Sequence, residues 1–209
     1  MTESRSGKLM RTTLMKQAKV LTHTELKRLL KIVQSSRYAD RNRVIVLLSY
    51  LAGLRACEIA ALKVGDVMST STDGWEIEQE IRLDSHQTKG SKTQTVVLNS
   101  RLRAEIRDYL QKRPYLHQDL TSPLLVTQKR GAFTSQTIQN LFRTLYEAAG
   151  IAHASSHSGR RTFITALSEK GVSVRVIQEL ARHSSLSTTQ RYIDVSVDKL
   201  RSAVELATL

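Results

Sequence analysis

The residues best suited to covalent chemistry lie near the end of the chain, where His183 precedes Tyr192 by nine residues. Apolar residues that repeat at helical spacing from Val174 predict a helix ending near Arg182, and a short run of serine and threonine follows it. Tyrosine is a poor nucleophile at its ordinary pKa of about 10, but it forms covalent intermediates when neighbouring groups activate it and the target is held in line. A covalent role for Tyr192 therefore depends on charged and proton-accepting groups elsewhere in the chain.

Three further segments carry residues of the types that such a reaction needs. They are Gly53-Leu-Arg55-Ala-Cys-Glu58, the turn Lys89-Gly-Ser-Lys92 and His157-Ser-Gly-Arg160. Each has an ordinary explanation on its own. An Arg-x-x-Glu pair on a helix is usually a surface ion pair, a lysine-rich turn is usually a solvated hairpin, and a lone histidine is usually a packing residue.

The composition favours a nucleic-acid partner. The 209 residues have a formal net charge of +13, and an excess of that size most often accompanies a polyanion, with a merely basic soluble protein as the alternative. The basic residues are spread along the chain, which favours a charged surface on a folded domain. The single cysteine, Cys57, excludes an intrachain disulfide and favours a reducing, cytoplasmic compartment, and the apolar runs are too short to cross a membrane.

The apolar pattern predicts one mostly helical domain with a small β insertion. Thr22 and Glu25 have the spacing of a capping box that opens a helix, and the stretch from about Asp40 to Leu51 is apolar nearly all round, as in a buried central helix. Further helices are predicted over Arg55–Lys63, Leu102–Leu110, a segment from Thr134 or Ser135 to Gly150, Ser158–Lys170 and Val174–Arg182.

The periodicity changes between Gly65 and Ser100, where short apolar runs predict strands of a small sheet. Residues 123–126 are either another short strand or an extended link. Residues 1–20 form a basic lead-in, which either lies on a phosphate backbone or is an idle terminus. An apolar stripe predicts a last helix at about 195–207.

In their order and spacing, the four polar segments resemble the motifs of the tyrosine recombinase (phage integrase) family. Those motifs look like Gly-Leu-Arg-x-x-Glu, a lysine in a β-hairpin turn, His-x-x-Arg, and Leu-Gly-His followed nine residues later by tyrosine. The flanking sequences Arg161-Thr-Phe-Ile-Thr and Ser187-Thr-Thr-Gln agree as well. The resemblance runs from about Thr22 to the C-terminus, and the combined motifs are specific. It implies the recombinase catalytic-domain fold, mainly α with a small antiparallel β-sheet, over residues 21–209.

The resemblance also implies a catalytic set and a role for each member. The set is Arg55, Lys89, His157, Arg160, His183 and Tyr192, with Glu58 in support. Tyr192 is expected to form a 3′-phosphotyrosine link with DNA, while the two arginines present forked donors to the phosphate oxygens. The histidines are expected to assist the proton that leaves Tyr192, and Lys89, with Lys92 as its rival, to protonate the departing 5′ oxygen. Neither a cofactor nor a metal is expected.

The chain departs from the family's pattern at Gly159, in Ala181-Arg182, which replace the usual Leu-Gly before His183, and in length. Gly159 stands where the family more often has leucine, which predicts looser packing. Arg182 stands where glycine is usual, which predicts altered phosphate contacts. The stretch before Thr22 is too short for the N-terminal DNA-clamping domain of most members. In length the chain resembles the short fimbrial phase-variation invertases, with a truncated or element-encoded relative as the alternatives.

The expected function is site-specific DNA recombination, either integration or excision of a mobile element or inversion of a DNA segment. The expected partner is duplex DNA with paired recognition sites, bound by dimers that assemble into tetramers, together with an accessory DNA-bending protein. The last helix either covers its own domain or docks on a neighbouring protomer. A nucleoid-associated protein of prokaryotic or phage origin fits this function.

Two other functions, and a metal site for two of the histidines, are alternatives to recombination. A DNA-binding regulator would keep the fold without recombination, and a type IB topoisomerase would share the tyrosine chemistry. His153 and His157, four residues apart, have the spacing of zinc ligands on a helix, but no glutamate follows His153, and Ser155 and Ser156 are typical of a loop or cap.

Overall fold

Helices provide most of the regular structure in the computed structural model, which describes residues 17–72, 74–88, 93–116, 119–192, 201, 204 and 205. The helices are α1 (His23–Gln34), α2 (Ala39–Leu51), α3 (Ala56–Ala61), α4 (Val64–Val67), α5 (Ser100–Gln111), α6 (Ser135–Ala148), α7 (Ser158–Glu169), α8 (Val174–Ala181) and α9 (Leu186–Gln190). A 3-10 turn, Pro114–Leu116, follows α5. Within the described residues, no helix combines the length and the apolar character that crossing a membrane needs.

The predicted central helix is confirmed. Apart from Arg43, the residues of α2 from Arg41 to Tyr50 are buried, and the helix packs against α1, α3, α5 and α7. The predicted capping box of α1 is also confirmed. The backbone N–H of Glu25 donates to the Thr22 hydroxyl over 3.2 Å, and the Glu25 carboxylate accepts from the Thr22 N–H over 3.0 Å.

The predicted antiparallel β region is present, but it is divided into two small sheets. Strands β1 (Met68–Ser71) and β2 (Gly74–Ile77) form one antiparallel pair, and β3 (Glu80–Leu83) and β4 (Gln94–Val97) form the other. The sequence pattern does not predict β1, because Met68 is the only apolar residue of this strand and apolar and polar residues do not alternate along it. The segment around Pro123 is an extended link with isolated bridges to Lys63 and Ala132.

Two clusters of buried apolar side chains hold the helices together. The larger one includes residues of α1–α6 and of all four strands. The smaller one consists of Ile164, Ile177 and Ala181, and it joins α7 to α8. Tyr192 packs against the smaller cluster. Among the described residues, the predicted nucleophile therefore packs on the smaller of the two clusters.

Gly159 brings α7 close to α2. A Cβ atom at this position would lie 2.3 Å from the Ser49 hydroxyl oxygen and 2.8 Å from the Ser49 Cβ. No larger residue fits there without movement of one helix. The expectation that Gly159 loosens the packing is therefore wrong, because the glycine allows the tight contact.

Some predicted features lie outside the described residues. They include both candidate lysines, Lys89 and Lys92, the first 16 residues of the basic lead-in, and most of the predicted C-terminal helix. Of that helix, Arg201, Val204 and Glu205 are described, and they are helical.

Candidate active site

Arg55 and Glu58 form a buried pair at the start of α3. The Glu58 side chain is fully buried, and one carboxylate oxygen, Oε1, accepts a hydrogen bond from Arg55 Nη1. The other oxygen, Oε2, accepts from the Arg55 backbone N–H over 2.8 Å. Because Glu58 is buried, the pair is not an ordinary surface ion pair. The Arg55 side chain itself remains 20% exposed.

Arg160 links α7 to the two segments that surround the site. The residue is 5% exposed, and its Nη1 donates to the Gly53 carbonyl over 2.6 Å. Its Nη2 donates to the carbonyl of Ala181, the last residue of α8. Gly53 has φ +61°, and a Cβ there would lie 2.8 Å from the Phe163 ring. The bend at Gly53 therefore aims a carbonyl at Arg160 in a conformation that favours glycine.

A third arginine, Arg182, completes this cluster. Its Nη2 donates to Glu58 Oε2 over 2.8 Å and to the Gly53 carbonyl over 3.2 Å. Its Nη1 donates to the carbonyls of Leu180 (3.1 Å) and Ala52 (3.4 Å). Sequence analysis predicts altered phosphate contacts at this position, whereas the structure places the guanidinium inside the protein, 3% exposed, against Glu58.

The cluster carries an excess of positive charge. Burial by itself raises the pKa of Glu58, but Arg182, Arg55 and Arg160 outweigh burial and hold this pKa below its ordinary value. Burial, together with the charges of Arg55 and Arg182, lowers the pKa of Arg160 to about 9. Three guanidinium groups therefore surround one ionised carboxylate, and such fixed positive charge is suited to an anion that gains charge during a reaction.

His183 and Tyr192 lie next to this cluster, at the two ends of α9. Their rings are stacked, with centroids 5.8 Å apart and an angle of 21° between the planes. His183 Nδ1 lies 2.9 Å from the hydroxyl oxygen of Thr189, which is fully buried, and the Tyr192 N–H donates to the Thr189 carbonyl over 3.0 Å. Thr189 thus contacts both predicted catalytic residues.

The environment of His183 favours the neutral imidazole. Burial is the largest cause, and the charges of Arg160, Arg55 and Arg182 act in the same direction, lowering the pKa of His183 to about 4. A neutral imidazole can accept a hydrogen bond or a proton at physiological pH, but a pKa of about 4 makes it a weak base. The role of His183 in assisting the proton that leaves Tyr192 stays a prediction.

Arg161 also contacts the predicted nucleophile. Its guanidinium carbon lies 5.6 Å from the centroid of the Tyr192 ring, within the range of a cation–π contact. Its Nη1 donates to the Ala18 carbonyl over 2.7 Å, which ties residues before α1 to α7. The sequence analysis gives no role to Arg161 or Thr189. Both residues belong to flanking segments that agree with the family pattern, and this agreement is the only signal for them in the sequence.

The remaining candidates are less fully placed. His157 is the N-cap of α7, exposed and one turn before Arg160. His153 lies in a turn with φ +63°, so the two histidines do not share a helix face as a zinc site would need. Among the described residues, no group of three or more histidine, cysteine, aspartate or glutamate side chains is placed to hold a metal ion.

A cleft of about 940 Å³ opens beside the arginine cluster and His183. Its lining includes Arg55, Arg182 and His183, together with Thr93 and residues of β4. Lys89 and Lys92 come just before Thr93 in the sequence. Either lysine therefore has only a short segment of chain between it and the cleft, and the role of Lys89 stays a prediction.

The buried arginines, the neutral histidine and the adjacent tyrosine together form a cationic site beside the predicted nucleophile. The chain belongs to the phage integrase family, whose model matches residues 19–199. The fold predicted from the sequence, a recombinase catalytic domain that is mainly α with small antiparallel sheets, is confirmed by this match and by the solved structures below.

Several curated relatives are tyrosine recombinases. The chain is 38% identical to tyrosine recombinase XerA of Thermococcus kodakarensis over 194 residues, which are 91% of this chain and 63% of the relative. It is 33% identical to XerA of Pyrococcus furiosus over 195 residues, 91% of this chain and 62% of the relative. The chain thus spans less than two thirds of the length of these relatives.

Solved structures of recombinases share the fold. A crystal structure of XerA recombinase superposes with a TM-score of 0.70 at 27% identity, covering 92% of this chain and 67% of the other. The XerH site-specific recombinase bound to difH substrate, in a pre-cleavage complex, superposes with a TM-score of 0.67 at 23% identity, covering 93% of this chain and 55% of the other. The second likeness concerns the fold alone.

Proposed function

We propose that the protein is a site-specific DNA recombinase that cuts and rejoins DNA strands through a covalent link to Tyr192. The observation that carries this proposal is a buried arginine cluster next to His183, which lines the cleft and stacks on the Tyr192 ring. Membership of the phage integrase family supports it, as do relatives that are named tyrosine recombinases.

In the proposed reaction, Tyr192 Oη attacks the phosphorus of a DNA phosphodiester. The bond from phosphorus to the 5′ oxygen breaks, and a 3′-phosphotyrosine link forms. The tyrosine proton passes to a neighbouring base, for which His183 is the candidate because its imidazole is neutral. The departing 5′ oxygen takes a proton from Lys89, with Lys92 as the alternative donor. Attack by a 5′-hydroxyl on the phosphotyrosine link reverses these steps and rejoins a strand.

Arg55 and Arg160 are proposed to bind the non-bridging oxygens of that phosphate. Arg55 lines the cleft and is partly exposed, and Arg160, in the same cluster, is held by the carbonyls of Gly53 and Ala181. Because both guanidinium groups are fixed before DNA binds, they stabilise the developing charge with little rearrangement. His157, one turn before Arg160, adds a hydrogen-bond donor, and Glu58 orients Arg55 without reacting.

Duplex DNA with paired recognition sites is the proposed partner. The net charge of +13 supports binding to a polyanion. We propose that dimers assemble into a tetramer on DNA, with an accessory DNA-bending protein, and that the C-terminal residues contribute to this assembly. A nucleoid-associated location follows from the same partner.

Covalent capture tests the proposed function. Wild type and Tyr192→Phe are expressed in the cell of origin, denatured with detergent, and any DNA that stays attached to the protein is sequenced. Adducts at a few positions, with wild type only, are expected. Tyr115→Phe is the matched control, because Tyr115 is 56% exposed and lies outside the site, and it should give the wild-type adducts.

Other outcomes would favour the two alternatives. Adducts scattered along the genome would replace the proposal with a type IB topoisomerase. Specific non-covalent binding without an adduct would indicate a regulator, provided that a nicked DNA substrate also gives no covalent adduct. A nick beside the cleaved phosphate traps the link, because the short strand that carries the 5′-hydroxyl diffuses away and cannot rejoin.

A further inference from the structure

The carboxylate of Glu58 is shared between two arginines that face different parts of the protein. Oε1 accepts from Arg55 Nη1, whereas Oε2 accepts from both the Arg55 N–H and Arg182 Nη2, each over 2.8 Å. The Arg182 carbonyl in turn accepts from Arg55 Nη2 over 3.4 Å. Arg182 thus touches the Arg55 guanidinium directly through its backbone and indirectly through Glu58.

Arg182 is not placed to bind DNA with its own side chain. That side chain is 3% exposed, against 20% for Arg55, and its two Nη groups donate to Glu58 and to backbone carbonyls. Hydrogen bonds between ionised groups are strong in such a dry environment and hold both partners in one geometry. Arg182 lines the cleft as Arg55 does, but its guanidinium is directed into the protein, where it supports the more exposed Arg55.

The backbone at Arg182 adds a second observation. Its φ of +54° and ψ of +47° place it in the left-handed region at the end of α8, where glycine is the unstrained choice. An arginine there has a conformational cost that glycine does not have, so the contacts of its side chain must offset that cost. Those contacts converge on Glu58 and on the bend at Gly53, which are the supports of Arg55 and Arg160.

We propose that Arg182 is a positioning residue, which holds Glu58 in the orientation that presents the Arg55 guanidinium to the scissile phosphate. This inference rests on the function proposed above. Arg182 stands where the family's Leu-Gly-His pattern has glycine, and the proposal gives this residue a role.

Single-turnover cleavage of the nicked DNA substrate, built on the recovered site, tests the inference. With protein in excess, Arg182→Gln should lower the cleavage rate about 10- to 100-fold, because a small misplacement of a charge-stabilising group has effects of that size. DNA affinity, measured separately, should change by less than about 3-fold, since Arg182 does not contact DNA. Arg182→Lys should restore part of the rate, because it retains a charged donor near Glu58.

Two further variants separate positioning from a merely structural role. Arg182→Gly removes the side chain and relieves the backbone, so it should remain as slow as Arg182→Gln even if it unfolds at a higher temperature. In a protein that already carries Arg55→Lys, Arg182→Gln should lower the cleavage rate by less than about 3-fold. The effects of substituting two residues that act as a unit are not additive. Arg43→Gln is the matched control, since Arg43 forms an ion pair with Glu105 and does not line the cleft, and it should cleave at the wild-type rate.

The outcomes distinguish this inference from the proposed function. If wild type does not cleave the nicked substrate, both the proposed function and the positioning role of Arg182 are contradicted. If wild type cleaves and Arg182→Gly cleaves equally fast, the positioning role alone is overturned. Full additivity of Arg182→Gln with Arg55→Lys would also overturn it, because Arg182 would then act independently of Arg55.

Discussion

The two halves of the site are held in different ways. The arginine half, formed by Arg55, Glu58, Arg160 and Arg182, is largely buried, and its ion pairs and carbonyl contacts join the bend at Gly53 to α7 and α8. The tyrosine half consists of two stacked rings at the ends of a five-residue helix, packed on a cluster of three buried residues. Within the described residues, the arginine half is therefore held by buried ion pairs, whereas Tyr192 is held by ring contacts, apolar packing and a backbone hydrogen bond.

This difference fits the chemistry proposed for each half. A site for a phosphate works best when its donors are fixed before the reaction, because no reorganisation is then needed as charge develops. A nucleophile that has to bond to DNA and later release it gains from a weaker hold. The comparison predicts that damage to the arginine half reduces folding stability, whereas damage to the tyrosine half mainly affects activity.

The largest effect is expected for Glu58→Gln. This substitution removes the one carboxylate among three buried or partly buried guanidinium groups and leaves their charges uncompensated. Breaking a buried ion pair from one side typically lowers the free energy of unfolding by about 3–5 kcal/mol. Urea unfolding followed by circular dichroism measures the loss.

Glu105→Gln is the matched control for that experiment. Glu105 also pairs with an arginine, Arg43, but the two side chains are 19% and 33% exposed. Its loss should cost about 1 kcal/mol or less, as is usual for exposed pairs. Similar small losses for both variants would contradict the view that the arginine half is a stabilising part of the fold.

A smaller loss is expected for Gly159→Ala, which pushes α7 away from α2. The added Cβ would meet the Ser49 side chain at 2.3–2.8 Å, and overpacking of this kind costs about 1–3 kcal/mol. Because Arg160 follows directly, cleavage should slow as well. Gly131→Ala is the control, since its Cβ would lie 3.9 Å from Thr127 Oγ1, the nearest atom. Equal stability of the two variants would show that the helices can separate freely.

The sequence predicts the local elements and offers candidates for the main site residues, because both leave short-range signals. A stretch that is apolar nearly all round indicates α2, and the spacing of Arg55 to Glu58 and of His183 to Tyr192 indicates the motifs. The contact between Arg182 and Glu58 joins residues 124 positions apart, and no local pattern encodes it. The only feature of Arg182 visible in the sequence is that it departs from the family pattern. That departure does not indicate whether the side chain is exposed or buried.

A still smaller effect is expected for Thr189→Val, in the tyrosine half. The substitution keeps the shape of the side chain but removes the hydroxyl that lies 2.9 Å from His183 Nδ1. Loss of one such hydrogen bond costs about 0.5–1.5 kcal/mol of stability. Cleavage should fall more clearly than stability, because the imidazole loses the contact that orients it. Thr189→Ser retains the hydroxyl and should keep most of the activity, and loss of activity in both variants would contradict this role.

The last effect is a pH dependence of stability that comes from His183. Its pKa is lowered from 6.5 to about 4 in the folded protein, with burial as the first cause and Arg160, Arg55 and Arg182 as the others. Between these pH values the unfolded chain binds more protons than the folded one, so the free energy of unfolding falls as the pH falls from about 6.5 toward 4. Urea unfolding at a series of pH values should show a shallower decline for His183→Gln than for wild type.

The window from about pH 5 to 6.5 isolates the imidazole, because the Glu58 carboxyl, whose pKa is lowered from 4.5, contributes only at more acidic pH. Within that window the slope also reports on the link between the two halves of the site. Removing one of the charges that face His183, as in Arg182→Gln, should raise the imidazole pKa and make the decline shallower. If Arg182→Gln and wild type decline equally, the arginine half does not set the protonation state of the tyrosine half, and burial alone keeps His183 neutral.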